Sequence, residues 1–559
     1  MALGLINLDF SPGWWRGQRL RLLIGVPVLL VYCYLQMPAL VFPQAFTLLL
    51  LTLVPNAAYA FLLSTRRAMV ARRIVSIRRS SFSPYLIALA ILGALAAVLA
   101  VAPVVDAGGL RDVAAVTASI GLPPNAELKH IRVVPEEAAQ FAGEKVIGQL
   151  GTYYEVGTYN IQVDGGKLVW VAPLEFHGLI QWLSRRTSPG VIVVSAENPD
   201  AGAELRQRAP MRYIPSALLN DNLYRHVYMT YGAEQILETT LQLDDSGNPQ
   251  YLCTLGRPTI GWTGQKVTAV VIVDPATGTM RRVPREQFAS LPHWVSRVYP
   301  ADLALAYNEW FGLYVHGLWN SMLARRDVHV PARDEVFGLL EGKGTFVWFV
   351  DHTSPSRTDQ SMTGFTYMDT VDGKITYYTS SGGEFNSAGA ENAVASNPIV
   401  RQGKLIPTQP ILYAAFGQNT WVVPLVADTG KYQTLALVQA KNGHVVVGSA
   451  AAPSPQNDAF AQYAAFLGVR TSVSDRQAAT TTAGVVHGTI ERIAPAVGNA
   501  LYFTLNGDAT IYVLRDAAGS PQALLARSGD LVAFHTKHPS NGAHGPAVAA
   551  DFMDSVFGR

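Results

Sequence analysis

Cysteine is nearly absent: Cys33 and Cys253 are the only two in 559 residues. Cys33 falls in an apolar run, which leaves one cysteine for the rest of the chain. That excludes a disulfide framework and any cysteine-based zinc site. Charge is also scarce, at 15% of residues against 49% hydrophobic, which points to segments lying in lipid. Acidic residues are missing from the start of the chain, where Asp9 is the one acid in the first 80 residues against nine arginines. The signatures of enzymes legible from local motifs are missing too: no Gly-x-Ser-x-Gly elbow, no His-Glu-x-x-His, no Walker loop and no dinucleotide fingerprint. Beyond residue 105 no broad basic surface forms, so nucleic acid is not an expected partner.

What is present begins with hydrophobic runs and arginine pairs. Trp14 and Trp15 beside Arg16 have the composition of an interfacial anchor. Apolar stretches follow at about 22–40 and 46–63, joined by a turn with Pro38 and Pro43 and interrupted by Pro27, Pro55 and Asn56. Then come three arginine doublets, Arg66-Arg67, Arg72-Arg73 and Arg78-Arg79, and an uncharged run from Pro84 to Val105. At about 1.5 Å per residue that run matches a bilayer core. The expectation is three transmembrane helices within 1–105, with the arginines facing cytoplasm and anionic lipid. Everything after residue 105 is then extracytoplasmic, in a cell envelope. Ala100-Val101-Ala102 resembles a signal-peptide cleavage site, but two apolar runs precede it, so an uncleaved multi-pass anchor is expected.

Residues 106–128 read as a linker. Beyond them a coarse pattern recurs, a helix followed by extended segments, which predicts four α+β modules at 129–215, 216–298, 299–382 and 383–468. Alternation in the strands argues antiparallel sheets with one face buried under the helix. Residues 469–483, rich in Ser, Thr and Ala, read as a second linker. Several short strands with a Gly529-Asp530 turn predict a small OB-like β-barrel over 484–559. The expected class is therefore a membrane-anchored α+β chain with a terminal barrel.

The stretch VTAVVIVDPATGTMRRV, with its Asp274-Pro275-Ala276-Thr277-Gly278 turn, resembles the closing strand and turn of PepSY-type domains, helix-plus-sheet modules of bacterial envelope proteins. VIVVSAENPDAG and YMDTVDGKITYY share its rhythm. The resemblance implies envelope regulation or restraint of a protease.

Candidate site residues are few. A helix over 301–323 would place Glu309, His316 and Asn320 on one face, where a carboxylate, an imidazole and an amide could move a proton. Asp351 and His352 are adjacent on a strand and point to opposite faces, so they do not form a triad pair, and a polar loop accounts for them. The Asp244–Asn248 run lacks a distal glutamate and reads as a hairpin turn, not a calcium loop. Tyr502, Phe503, Tyr512 and Phe534 could form an interaction surface on the barrel. No cofactor or metal is expected. The leading expectation is a non-enzymatic scaffold or regulatory protein working through a protein partner or homo-oligomer. The rivals are an envelope hydrolase using the 301–323 helix and an accessory component of a membrane transport or transfer machine.

The expected topology has a direct test. Protease added to spheroplasts should cut beyond residue 106 and spare the 66–79 segment. Equal protection of both regions would contradict it.

Overall fold

The structure, a computed structural model, describes residues 12–43, 45–70, 83–148, 153–342, 344–356, 358–380, 382–468, 484–495, 501–506, 508–514, 527–536 and 548–557. Three helices open it: Pro12–Gln36, Phe46–Val70 and Ser83–Val105. Among the described residues only Tyr85–Val105, with mean hydropathy 2.6, is long and apolar enough to cross a membrane. The first two helices have apolar stretches of only Leu23–Gln36 and Leu48–Tyr59. Arg19 and Arg21 enter the first helix, Arg66 and Arg67 enter the second, and Pro27 and Pro55 interrupt them. The expected three transmembrane helices are therefore corrected to one candidate span. Trp14, Trp15 and Arg16 fall within the first helix, whereas Arg72, Arg73, Arg78 and Arg79 lie outside the described residues.

The chain leaving that span is structured, against the linker expected at 106–128. Asp106 caps a short helix, Ala107–Arg111, by accepting a hydrogen bond from Gly109 N at 3.0 Å. Val116–Ser119 then pairs in parallel with Ile375–Thr379, Val116 opposite Ile375, and becomes an edge strand of a sheet far along the sequence.

Four sheets follow, antiparallel except for that one parallel edge. In the first, Lys167–Phe176 is flanked by Asn160–Asp164 and Val191–Ser195. The second is a meander of Gln235–Leu243, Pro249–Arg257, Lys266–Val273 and Met280–Pro284. In the third, Thr345–Thr353 pairs with Phe337–Glu341 and Gly364–Asp369. In the fourth, Gln418–Val426 pairs with Ile411–Ala415 and Tyr432–Gln439. Helices Glu136–Ile147, Leu223–Tyr231, Ala301–Leu313 and Ser387–Ser396 precede them in turn.

The central strands are buried on both faces, not on one. Eight of the nine residues of Thr345–Thr353 are buried, and so is nearly all of Lys167–Phe176. Trp170 and Val194 pack into one core with Leu252 and Trp348, while Val169 and Val193 on the other face pack into a second core with Cys253 and Val271. Near-continuous apolar runs such as LVWVAPL and FVWFV are the composition that two-sided burial demands.

One backbone device recurs in every module. In the first, Val133 N and Val134 N both donate to Ala196 O, at 2.9 and 3.0 Å. In the second, Arg212 N and Tyr213 N donate to Pro275 O, both at 2.8 Å. In the third, Val298 N and Tyr299 N donate to Thr370 O, both at 2.8 Å, and in the fourth Phe385 N donates to Ala440 O at 2.8 Å. Each acceptor lies two residues beyond one that faces a large aromatic on the neighbouring strand: Val194 faces Trp170, Val273 faces Tyr251, Met368 faces Trp348 and Val438 faces Trp421. The three indoles close the device. Trp170 Nε1 donates to Val134 O at 3.0 Å, Trp348 Nε1 to Tyr299 O at 2.8 Å and Trp421 Nε1 to Phe385 O at 2.9 Å. A segment entering its helix is thus tied at both its N–H and C=O groups to its own sheet.

The chain divides into two units, 1–126 with 130–450 and 127–129 with 451–559. The second holds helix Pro455–Phe466 and a closed barrel of Gly484–Pro495, Leu501–Leu505, Asp508–Leu514, Val548–Phe557 and Leu531–Thr536, in that order around it. Phe503 and Tyr512 are in its core, 2% and 1% exposed and stacked at 5.6 Å, so they form no interaction surface. Tyr502 and Phe534 sit on its strands. The linker expected at 469–483 lies outside the described residues. The expected architecture of three spans, modules and an OB-like barrel gives way to one candidate span, a β-rich unit of four sheets, and a separate closed barrel.

The clamp predicts a graded loss of stability. Trp348→Phe keeps an aromatic ring, smaller than the indole, and removes the bond to Tyr299, and should cost about 1–2 kcal/mol. Trp348→Ala should cost about 3–5 kcal/mol. Urea unfolding of the detergent-solubilised chain measures both, and a neutral Trp348→Phe would refute the device.

Candidate functional site

Arginine stands three residues before a proline that opens a helix in two modules: Arg132-Val-Val-Pro135 and Arg297-Val-Tyr-Pro300. Burial fixes both side chains. Arg132 is 3% exposed, its guanidinium 4.9 Å from the Trp170 ring and 5.7 Å from Phe337. Arg297 is 6% exposed and lies 4.7 Å from the Trp348 ring. Each cation therefore rests on the indole of its own module's clamp. Arg132 Nη1 donates to Gly338 O at 3.4 Å, and its Nη2 donates to Gln409. Arg297 pairs with Glu238 and reaches Asn160 Oδ1 at 3.4 Å.

Between these stacks opens a cavity of about 680 Å³ to which the first, third and fourth modules bring residues: Arg132 and Trp170, Arg297 and Trp348, and Glu391 and Gln409. Gln409 has a left-handed backbone, φ 43°, a costly conformation for a side chain of its kind. That conformation lets one amide serve three partners: it accepts from Arg132 and from Glu136 N at 3.4 Å, and donates to Glu137 Oε2 at 3.2 Å. Thr408 Oγ1 donates to the other Glu137 oxygen at 3.0 Å. Arg333 pairs with Glu391 and donates to Ser387 Oγ at 3.2 Å.

The lining is acidic on balance, with six carboxylates, Glu136, Glu137, Asp302, Asp334, Glu335 and Glu391, against three arginines and no lysine. The arginines are engaged by the protein, as are Glu137 and Glu391, and Asp302 and Glu335 are exposed. Burial pushes the Arg132 guanidinium down to about 10. Burial also holds the Glu136 carboxyl above its usual range, against the pull of Arg132. The Tyr159 hydroxyl at the cavity wall is buried with no hydrogen-bond partner among the described residues. The repeated Arg-Val-x-Pro was the signal for this site, and it is legible in the chain.

Glu309, His316 and Asn320 are not brought together. The helix ends at Leu313, not 323; Glu309 is exposed on it, and His316 sits in a turn at φ 60° followed by Gly317 at φ 82°. His316 Nε2 lies 3.1 Å from Asp327 Oδ2 with both groups largely exposed. Asn320 Nδ2 donates to Val315 O and Arg326 O, both at 2.8 Å, and so holds the turn.

Asp351 and His352 do point to opposite faces, but into the protein and not from a polar loop. Asp351 accepts from Ser387 N at 2.7 Å and Ser387 Oγ at 3.1 Å, at the start of the fourth module's helix. His352 is fully buried. Asn308 Nδ2 donates to Ala304 O at 2.8 Å, which fixes Asn308 Oδ1 as acceptor for Thr366 Oγ1 at 2.6 Å and His352 Nε2–H at 2.9 Å. Neutral His352 then presents a bare Nδ1, which accepts from His329 Nδ1–H at 2.8 Å. Tyr377 stacks on His329 at 5.1 Å, and any Cβ at Gly312 would strike the His329 carbonyl. Protonating both rings would set two Nδ1–H groups against each other and break the bond between them. Asp244 is a turn residue as expected, its Oδ1 accepting from Ser246 N at 2.9 Å and Asn248 N at 2.8 Å. No group of three potential metal ligands occurs among the described residues.

No family model matches the chain. No curated protein matches it either. Among solved structures, a candidate glycosidase from Bacteroides thetaiotaomicron is 11% identical, with 64% of this chain and 86% of that chain covered at a TM-score of 0.19. An exo-1,5-alpha-L-arabinanase from a bovine ruminal metagenomic library is 13% identical (55% and 81% covered, TM-score 0.17), and an endo-1,4-beta-xylanase from B. thetaiotaomicron is 11% identical (52% and 74%, TM-score 0.15). The expected absence of enzymatic activity is withdrawn, since the structures returned are described as enzymes. At these scores the likeness assigns neither fold nor activity to this chain.

The histidine pair predicts acid sensitivity. Burial lowers His329 from 6.5 to about 4, and lowers His352 further below its usual value. Between those pH values the unfolded chain binds protons that the folded chain does not. Stability is therefore full above about pH 6.5 and falls towards pH 4, by roughly 3 kcal/mol for His329 alone. His329→Gln should flatten the fall in Tm over that range, and an unchanged acid slope would contradict it.

Proposed function

We propose that this chain is a membrane-anchored regulatory or scaffold protein that holds a basic segment of a protein partner in the cavity shared by its first, third and fourth modules. The observation that carries this reading is the charge of the lining, six carboxylates against three arginines. A cavity of about 680 Å³ is the size of a ligand pocket, with room for a few side chains and none for a folded domain. Exposed Asp302, Asp334 and Glu335 attract cations at long range, and the flat indoles of Trp170 and Trp348 border the path of an aliphatic stem. Extracytoplasmic placement is supported by the arginine-rich segment ahead of Tyr85–Val105. The recurrence of one clamp in all four modules supports the PepSY-like reading of a repeated envelope module.

A second reading has one observation in its favour. Glu136, whose carboxyl burial holds above the usual range, stands beside Glu137 on the cavity wall, and two neighbouring carboxyl groups are the residue types of acid–base hydrolysis. On that reading Glu136→Gln abolishes release of fragments from isolated envelope polymer.

Fluorescence anisotropy separates the readings. The purified chain should bind a lysine- and arginine-rich decapeptide at least about tenfold more tightly than a glutamate-rich one. Asp302→Asn with Glu335→Gln should remove most of that preference. Equal binding of the two peptides would overturn the proposal.

A further inference from the structure

The short helix Leu179–Arg185 is turned the wrong way for a soluble protein. Trp182 faces inward, 2% exposed, and fixes the helix to the core. Leu179, Ile180 and Leu183 share the outward face, with Ile180 77% exposed. Arg185 and Arg186 follow immediately, their guanidiniums over Tyr153 and Trp182. A second tip repeats this composition after helix Ala301–Leu313, where Trp319, Met322 and Leu323 are 73%, 60% and 75% exposed ahead of Arg325 and Arg326. Apolar side chains displayed together, with cations directly behind them, are the pattern of a surface that meets lipid headgroups.

The first tip stands where the N-terminal helix meets the modules. Phe176 N, just before the first tip, donates to Ser216 Oγ at 2.9 Å, and Arg186 lies 3.9 Å from Asp221. Next to Asp221, Asn220 accepts from Tyr34 OH at 2.8 Å, and Arg225 Nε donates to Tyr34 O at 2.8 Å. Tyr34 lies near the end of the helix Pro12–Gln36. The exposed Leu219 and Met229, 68% for the latter, extend this tip. At the second tip, Gly312 packs on His329, which feels the charge of Arg111, and Arg111 is six residues beyond the end of Tyr85–Val105. The span itself runs against the modules, its Leu99 carbonyl closing on Gly261.

We propose that the four-module unit rests on the bilayer surface through these two tips, with Leu179–Leu183 and Trp319–Leu323 inserted at headgroup depth and the arginine pairs on phosphate. The occupant is lipid because the first tip is tied through Asn220 and Arg225 to Tyr34 of the N-terminal helix, because the second follows a helix that packs on His329 near the charge of Arg111, just past the candidate span, and because each apolar cluster is backed by cations. The inference rests on the membrane anchorage of the proposed function, but not on its cavity.

The test uses the full chain in phosphatidylcholine–phosphatidylglycerol vesicles. An environment-sensitive fluorophore is placed on Ile180→Cys, on Leu323→Cys or, as a control, on Asn442→Cys in an exposed hairpin turn. Cys33→Ser supplies the background, since Cys253 is fully buried with its thiol pushed up to about 12. A quencher carried on the lipid at headgroup depth should quench 180 and 323 several-fold more than 442. Quenching at the two tips no greater than at 442, in a chain that floats with the vesicles, overturns the proposal while anchorage stands. A chain that does not float overturns both.

Discussion

The four modules depend on one buried carbonyl each. Ala196, Pro275, Thr370 and Ala440 lie at the ends of strands, and their oxygens receive the N–H groups of the segment about to enter a helix. A buried N–H without a partner costs more than a formed bond gains, so these contacts decide where each helix can begin. The aromatic opposite each strand end completes the tie in three modules through an indole N–H. In the second module the equivalent Tyr251 leaves its hydroxyl buried and without a partner among the described residues. The device is therefore shared, and its aromatic end is not uniform.

The cavity follows from that constraint. Because Val133-Val134 and Val298-Tyr299 are pinned, the residues before them, Arg132 and Arg297, are held over the clamp indoles and cannot reach solvent. Two buried cations need compensation, and Gln409, Glu238 and the backbone of Gly338 supply it. The carboxylates that remain at the opening give the cavity its sign. Structure and electrostatics thus come from the same few residues in equivalent positions of the first and third modules.

Much of the local structure was legible. The expected order of a helix followed by extended segments is observed in the first module, where Glu136–Ile147 precedes Lys167–Phe176. Three features were not legible, each for a physical reason. Helical spacing from 303 to 318 continued past a chain stop that Gly317 alone signalled, so Glu309, His316 and Asn320 were joined on a face that does not form. Burial on both faces was masked because polar residues inside the sheets, such as Gln162, Gln242 and Thr366, read as a solvated face although they bond inward. The His329–His352 pair joins neighbouring strands through residues 23 apart, a proximity that only the register of the third sheet creates. Hydropathy misled at the N-terminus, where windows of mixed apolar residues resemble spans but are cut short by arginine and proline.

The central claim is that the first, third and fourth modules act together on one ligand in one acidic cavity. Hydrogen–deuterium exchange of the full chain, with and without a saturating basic peptide, tests it most directly. The account predicts simultaneous protection in 132–140, 297–305, 333–338 and 407–409, with none in the barrel. Protection confined to one of these segments, or absent from all four, would contradict it.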